Sequence, residues 1–142
     1  MFVKTDWISV KFLFDNVFLI ALVLLSGGML LAPLLQQRGN RVSLLRATQL
    51  INQGKTVVVD VRTPEQFAAG HLRDAKNIPL KDLPQRASEI DKNKTKNVIV
   101  VCRSGTQASR AASQLNKAGF ADVYCLDGGI DAWQANGLPT TR

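Results

Sequence analysis

Two patterns of hydrophobic and polar residues divide the chain. From Val17 to Leu35 the sequence runs for 19 residues without a charge, close to the roughly 20 apolar residues that cross a bilayer core. Beyond residue 40 the apolar residues instead form short runs separated by polar turns. These patterns predict a short N-terminal tail over residues 1–15, a transmembrane helix over 16–36, a linker over 37–42 and one folded domain over 43–142.

Strand and helix patterns alternate in the folded domain. The apolar, β-branched runs at 56–61, 97–101 and 123–126 are typical of strands that are buried on both faces. Between them, amphipathic or capped stretches predict helices at 44–52, from Thr63 to Gly70, from about residue 82, at 106–117 and after Gly128. The alternation predicts an α/β fold with a mostly parallel sheet flanked by helices on both faces.

The apolar run at 17–35 has two other readings. A cleaved signal peptide is disfavoured because the run is longer than a usual hydrophobic region and because Asp6 and Asp15 interrupt the basic segment that should precede it. A buried helix of a soluble protein is the other alternative. Basic residues near the span are Lys4 and Lys11 before it and Arg38, Arg41 and Arg46 after it. The slight excess of basic residues after the span favours a single-pass protein whose folded domain faces the cytoplasm.

The formal net charge of +7 belongs entirely to the chain after residue 37. Lys92, Lys94 and Lys96 form the main basic cluster, but polar residues separate them and no aromatic residue stands among them. A nucleic-acid surface usually has a broader basic face with stacking side chains, so we expect no nucleic-acid partner. The cluster is typical of a solvated loop, attracted at most to anionic lipid or small anionic substrates.

Cysteine and histidine are too few for a disulfide framework or a four-ligand zinc site. The chain has Cys102, Cys125 and a single histidine, His71. We therefore expect no metal and no cofactor. His71 is interpreted as a hydrogen-bonded structural residue. Cys125 is interpreted as packing within a strand, with a resolving disulfide to Cys102 as the alternative.

Cys102 is the strongest candidate for chemistry. It follows the strand at 97–101, and parallel sheets bind ligands at the carboxyl ends of their strands. A lone cysteine there is more often a small buried hydrophobe. The following loop, Arg103, Ser104, Gly105, Thr106 and Gln107, changes this interpretation, because its backbone N–H groups and the next helix N-terminus can cradle negative charge on the sulfur.

Three blocks in order resemble the rhodanese family of sulfurtransferases, in its single-domain, membrane-anchored bacterial form, over about residues 43 to 139. The first runs D-V-R-T-P-E-Q-F-A-A-G-H-L from Asp60, followed by A-K-N-I-P from Ala75. The second is C-R-S-G from Cys102, and the third is G-G-I-D-A-W from Gly128 with G-L-P from Gly137. The bacterial inner (cytoplasmic) membrane is then the expected location, with its lipid contacting residues 17–35.

The resemblance implies that Cys102 carries sulfane sulfur as a persulfide, taken from a thiosulfate-type anion or a protein persulfide donor and passed to a thiophilic acceptor. The six-residue loop from Cys102 to Gln107 matches the sulfur-transfer members. Longer loops belong to phosphatase and arsenate-reductase relatives, which makes those activities a minor alternative. The resemblance also implies that Asp60 and Arg62 mainly hold the fold, with bracing of the loop or substrate contact as the alternative.

The loop departs from the family pattern at Gln107, where arginine is common. Glutamine offers a neutral hydrogen bond without a permanent charge. Arg103 and Arg110 are the alternative sources of that charge, and a capping box between Ser104 and Gln107 is a purely structural reading of the glutamine. The substitution favours a rival function, a catalytically weak rhodanese-fold interaction module whose partners are membrane proteins.

Overall fold

The structure is a computed structural model that describes residues 6–35 and 40–142. The chain divides into two compact units, Met1–Gln37 and Arg38–Arg142. The N-terminal unit contains helices α1, Asp6–Asp15, and α2, Val17–Leu35. Helix α1 lies in the segment predicted as a tail, so that part of the tail is helical.

The transmembrane helix predicted over residues 16–36 is not supported by the structure. Among the described stretches 6–35 and 40–142, none of the helices combines the length and the apolar character that crossing a membrane requires. Residue 36 itself lies outside the described residues.

A five-stranded parallel sheet forms the centre of the C-terminal unit, with strand order β1-β5-β4-β2-β3. The strands are β1, Asn40–Val42; β2, Thr56–Asp60; β3, Lys76–Asn77; β4, Asn97–Val101; and β5, Val123–Leu126. Strand β4 lies between β2 and β5, with Val59 and Cys125 both in register with Val100. All strands are parallel, so their carboxyl ends lie at one edge of the sheet.

Helices connect the strands and cover both faces of the sheet. They are α3, Leu44–Asn52; α4, Pro64–Ala69; α5, Leu83–Arg86, continued by a 3-10 helix, Ala87–Asn93; α6, Ala108–Lys117; and α7, Gly129–Ala135. The predicted capping box of α4 is confirmed, because Thr63 Oγ1 accepts from Gln66 N and Thr63 N donates to Gln66 Oε1, both at 3.4 Å.

Alternate residues of the central strand enter two separate apolar cores. Val98 and Val100 pack on the side that holds residues of α5 and α6, whereas Ile99 and Val101 pack on the side of α3 and α7. All four side chains are fully buried. This period of two explains the unbroken apolar run of β4, and it confirms the predicted sheet with helices on both faces.

Two boundaries differ from the sequence prediction. The linker was expected to extend to residue 42, but Asn40–Val42 forms strand β1 at the edge of the sheet. Asn40 and Arg41 are exposed and Val42 is the only buried residue of the strand, so the sequence has no alternating hydrophobic pattern there and the strand is recognised from its backbone pairing to β5. Helix α6 begins at Ala108 instead of residue 106, because Cys102 and the five residues after it form the loop.

Candidate active site

The sulfur of Cys102 lies directly after β4 at the carboxyl edge of the sheet. The residue is only 1% exposed. The backbone N–H of Gly105 donates a hydrogen bond to Cys102 Sγ at 2.8 Å. Gly105 has φ +91°, a left-handed backbone conformation that glycine adopts without steric cost. The loop therefore turns back on the cysteine and directs an amide dipole at its sulfur.

Two backbone hydrogen bonds from the start of α7 fix the position of this loop. Ile130 N donates to the carbonyl of Cys102 at 2.9 Å, and Asp131 N donates to the carbonyl of Arg103 at 3.1 Å. Gly129, at φ +62°, lies so close that a side chain there would overlap both carbonyl oxygens. Backbone N–H groups in the first turn of α7 thus bind two carbonyl oxygens of the loop.

The polar side chains of the loop are exposed. Arg103 pairs with Asp131 on α7, with Nε 3.6 Å from Oδ2, and Ser104 Oγ lies 3.4 Å from Thr106 Oγ1. Arg110 is exposed on α6. Among residues 6–35 and 40–142, no hydrogen bond or ion pair joins Arg103 or Arg110 to Cys102.

Gln107 does not cap α6. It occupies the N-cap position with helical dihedral angles, φ −81° and ψ −20°, and its side chain makes no capping hydrogen bond. The capping box suggested for Ser104 and Gln107 is therefore wrong, because α6 starts after Gln107 and Ser104 remains in the loop. Gln107 instead lines a cavity beside the loop.

Asp60 and Arg62 form a buried ion pair at the end of β2. Arg62 Nε lies 3.0 Å from both Asp60 carboxylate oxygens, and Nη2 lies 2.6 Å from Oδ2. The guanidinium also donates to the carbonyls of Gln66 and Gly70, at 3.1 and 2.8 Å. Asn77 Nδ2 donates to the backbone carbonyls of both partners of the pair. These contacts tie β2, α4 and β3 together and favour the structural role.

Cys125 lies on the same face of the sheet as Cys102. It is opposite Val100, two residues before Cys102, and both cysteines belong to one apolar core. Both thiols are free. Burial raises the pKa of the Cys125 thiol, and the neighbouring Cys102 acts in the same direction. Cys125 therefore remains protonated at neutral pH, which fits the packing role.

His71 and Trp133 are engaged in structural contacts. The His71 ring stacks on Phe67 with centroids 3.8 Å apart, and its Nδ1 lies 2.9 Å from the Phe67 carbonyl. Trp133 is buried and donates from Nε1 to the Pro139 carbonyl at 3.0 Å. Within the described part of the chain, no three histidine, cysteine or acidic side chains gather as a metal site.

A cavity of about 490 Å³ opens beside the end of the loop. It is bounded by Gln107, by the β2–α4 turn and by the segment that follows β3. Its lining residues are Val61, Arg62, Thr63, Pro64, Glu65, Gln66, Pro79, Leu80, Lys81 and Gln107. Sequence reasoning missed Lys81, because no local pattern distinguishes it from other surface lysines. Only the parallel topology brings it beside a loop that follows a different strand.

Comparison with known proteins agrees with this geometry. The family model for the rhodanese-like domain matches residues 43–136. The chain is 41% identical over 97 residues to the uncharacterised protein YibN of Escherichia coli K12, covering 68% of each chain. It is 38% identical over 91 residues to a sulfurtransferase of Allochromatium vinosum, covering 64% of this chain and 83% of that protein.

A solved structure shares the fold. The rhodanese-like domain of the Anabaena sp. Alr3790 protein superimposes with a TM-score of 0.64 at 31% identity, covering 71% of this chain and 77% of that one.

Proposed function

The chain belongs to the rhodanese-like domain family, and from that premise we propose that it is a sulfurtransferase that carries sulfane sulfur as a persulfide on Cys102. The observation that carries the proposal is the 2.8 Å hydrogen bond from the Gly105 amide to Cys102 Sγ. A backbone donor aimed at the sulfur stabilises negative charge there, both on the attacking thiolate and on the inner sulfur as it leaves when the persulfide is discharged.

The proposed reaction has two displacement steps. In the first, the Cys102 thiolate attacks the outer sulfur of thiosulfate, the sulfur–sulfur bond of thiosulfate breaks, and sulfite leaves with the electron pair. In the second, a nucleophilic acceptor such as cyanide or a thiolate attacks the outer sulfur of the persulfide, and Cys102 leaves as a thiolate. A protein persulfide is the alternative donor, and it delivers its outer sulfur in the same way.

The loop is held in a fixed shape for both steps. The N–H groups of Ile130 and Asp131 bind the carbonyls of Cys102 and Arg103, so the loop need not reorganise as charge moves on the sulfur. The buried pair of Asp60 and Arg62 fixes the neighbouring end of β2. In this mechanism the protein positions the Cys102 sulfur and directs backbone dipoles at it, and bonds break and form only at the sulfur atoms.

Two observations favour a rival function, a catalytically weak interaction module. Gln107 places a neutral amide where the family commonly has arginine, and Cys102 is almost completely enclosed. In that case the loop would keep its shape without turnover, and membrane proteins would be the partners.

Thiocyanate formation separates the two functions. We expect the full-length chain to form thiocyanate from thiosulfate and cyanide, and we expect Cys102→Ser to abolish this activity because the attacking thiolate is gone. Cys125→Ser is the matched control, since it removes the other thiol of the same core and should retain activity. No turnover in the wild type would favour the interaction module, and equal turnover in the wild type and Cys102→Ser would contradict the role of Cys102.

We also propose that residues 17–35 contact the lipid of the bacterial inner membrane, with the C-terminal unit on the cytoplasmic side. The support is the uncharged sequence of α2 and the exposure of large apolar side chains along α1 and α2. These include Phe12, Phe14, Phe18, Leu24, Leu25 and Met29.

Cell fractionation tests the membrane proposal. The full-length chain should remain with membranes after an alkaline carbonate wash, whereas a variant that lacks residues 1–37 should be released. Recovery of the full-length chain in the wash would contradict it.

A further inference from the structure

The cavity beside the loop is larger than the small inorganic substrates of sulfur transfer require. Its volume of about 490 Å³ lies within the range of pockets that hold small organic ligands, roughly 300–1,000 Å³. Cyanide or thiosulfate would leave most of that volume to water. Gln107, the last residue of the loop, forms part of its wall, so a ligand in the cavity contacts the loop that carries Cys102.

Three charged residues line the cavity, and two of them are already engaged. Arg62 is paired with Asp60 and also donates to two backbone carbonyls. Hydrogen bonds from its own backbone and from Thr63 hold the pKa of Glu65 below its ordinary value, and Lys81 adds to this effect. Glu65 is thus ionised and satisfied at the start of α4.

Lys81 is the third charged residue of the cavity. Its side chain is exposed, and among the described residues no carboxylate lies within ion-pair distance of its ammonium group. Gln107, another residue that lines the cavity, offers only a neutral amide. Arg103 is paired with Asp131 and does not line the cavity. Positive charge for a ligand in this cavity therefore comes from Lys81.

We infer that Lys81 selects a carboxylate-bearing organic thiol as the sulfur acceptor, an inference that rests on the proposed persulfide at Cys102. The acceptor thiolate attacks the outer sulfur of the persulfide, the bond between the two sulfurs breaks, and Cys102 is released as a thiolate. The acceptor leaves as an organic persulfide, so atoms and charge balance without an oxidant. Lys81 pairs with the carboxylate and does not touch the reacting sulfurs, which makes it a specificity-determining residue.

Three small thiols that differ in charge test the inference. The full-length chain is loaded with thiosulfate, loading is verified by intact mass, and discharge is measured with 3-mercaptopropionate, 2-mercaptoethanol and cysteamine. Lys81→Ala should raise the half-saturating concentration of 3-mercaptopropionate about two- to fivefold, as expected for an exposed ion pair, and leave its limiting rate unchanged. Discharge by neutral 2-mercaptoethanol should not change.

Further variants separate charge from structure. Lys81→Arg should restore the wild-type half-saturating concentration of 3-mercaptopropionate. Lys81→Glu should raise that concentration further and lower the half-saturating concentration of cationic cysteamine. High salt should reduce the preference of the wild type for 3-mercaptopropionate over the other two thiols. Lys76→Ala is the matched control, an exposed lysine of the preceding strand that does not line the cavity.

The outcomes distinguish the two levels of the proposal. Normal loading with no effect of Lys81→Ala, or with equal losses for all three thiols, would overturn the role of Lys81 and leave the sulfurtransferase proposal intact. Failure of wild-type Cys102 to load with sulfur would overturn both.

Discussion

At the scale of single residues, the thiols of Cys102 and Cys125 lie in one apolar core but have different surroundings. Cys102 Sγ accepts a hydrogen bond from the Gly105 backbone N–H at the carboxyl edge of the sheet, whereas Cys125 lies within β5. Burial raises the pKa of Cys125, and the negative charge that Cys102 can carry adds to the shift. A protonated thiol is a poor nucleophile, so Cys125 should not attack a persulfide on Cys102.

The raised pKa of Cys125 predicts a loss of stability at alkaline pH. An unfolded cysteine loses its proton near pH 8.5, whereas the folded Cys125 retains it to higher pH. The contribution of Cys125 to stability is therefore complete below the unfolded pKa and is lost as pH rises through the folded pKa. We expect the free energy of unfolding to fall more steeply with pH in the wild type than in Cys125→Ala.

Denaturant unfolding under reducing conditions, from about pH 7 to about pH 10, measures this difference. Titrating groups that do not interact with Cys125 contribute equally to both proteins and cancel when the two curves are subtracted. Parallel curves would show that Cys125 titrates alike in the folded and unfolded chain.

At the scale of elements, the N-terminus of α7 supports the loop that carries Cys102. Its first N–H groups bind the carbonyls of Cys102 and Arg103, and Gly129 allows the approach. Gly128 is equally confined, because a side chain there would overlap Ala132 Cβ. Gly129 therefore serves a close contact between two elements that are distant along the chain, whereas Gly128 serves the turn into α7 itself.

Gly129→Ala should disrupt the loop. Its methyl group would overlap the two carbonyl oxygens that α7 approaches. Gly137→Ala is the matched control, because Gly137 has a similar φ of +68° and open space around it. Both variants should lose roughly 1–2 kcal/mol from the left-handed conformation, and Gly129→Ala should lose more. Unfolding free energies and sulfur loading of Cys102 measure the two effects.

Gly129→Ala should also load poorly with sulfur, whereas Gly137→Ala should load as the wild type does. Equal stability and equal loading in the two variants would show that the approach of α7 does not support the loop.

Elements with a strong local signal could be predicted from the sequence. Strand β4 has an unbroken apolar run, and α4 has its capping residues and proline. Strands β1 and β3 could not be predicted in this way. They have only three and two residues, and they are defined by backbone pairing to strands that are distant along the chain. The start of α6 was placed too early because Thr106 and Gln107 are compatible with a helix, and only the turn around Cys102 excludes them.

At the scale of the whole molecule, parallel topology assembles the site from separate stretches of sequence. Cys102 follows β4, Arg62 follows β2, and Lys81 follows β3, yet all lie toward the carboxyl edge of one sheet. The motif around Cys102 could be recognised locally. The cavity and the place of Lys81 in it could not, because strand order and crossover lengths determine which loops meet.

The central claim is that Cys102 accepts one sulfur atom, and intact mass spectrometry tests it most directly. After incubation of the full-length chain with thiosulfate and removal of excess reagent, we expect a mass increase of a single sulfur atom. Cyanide should remove this adduct. It should be present in Cys125→Ser and absent in Cys102→Ser. An unmodified wild-type chain, or an adduct that persists in Cys102→Ser, would contradict a persulfide mechanism at Cys102.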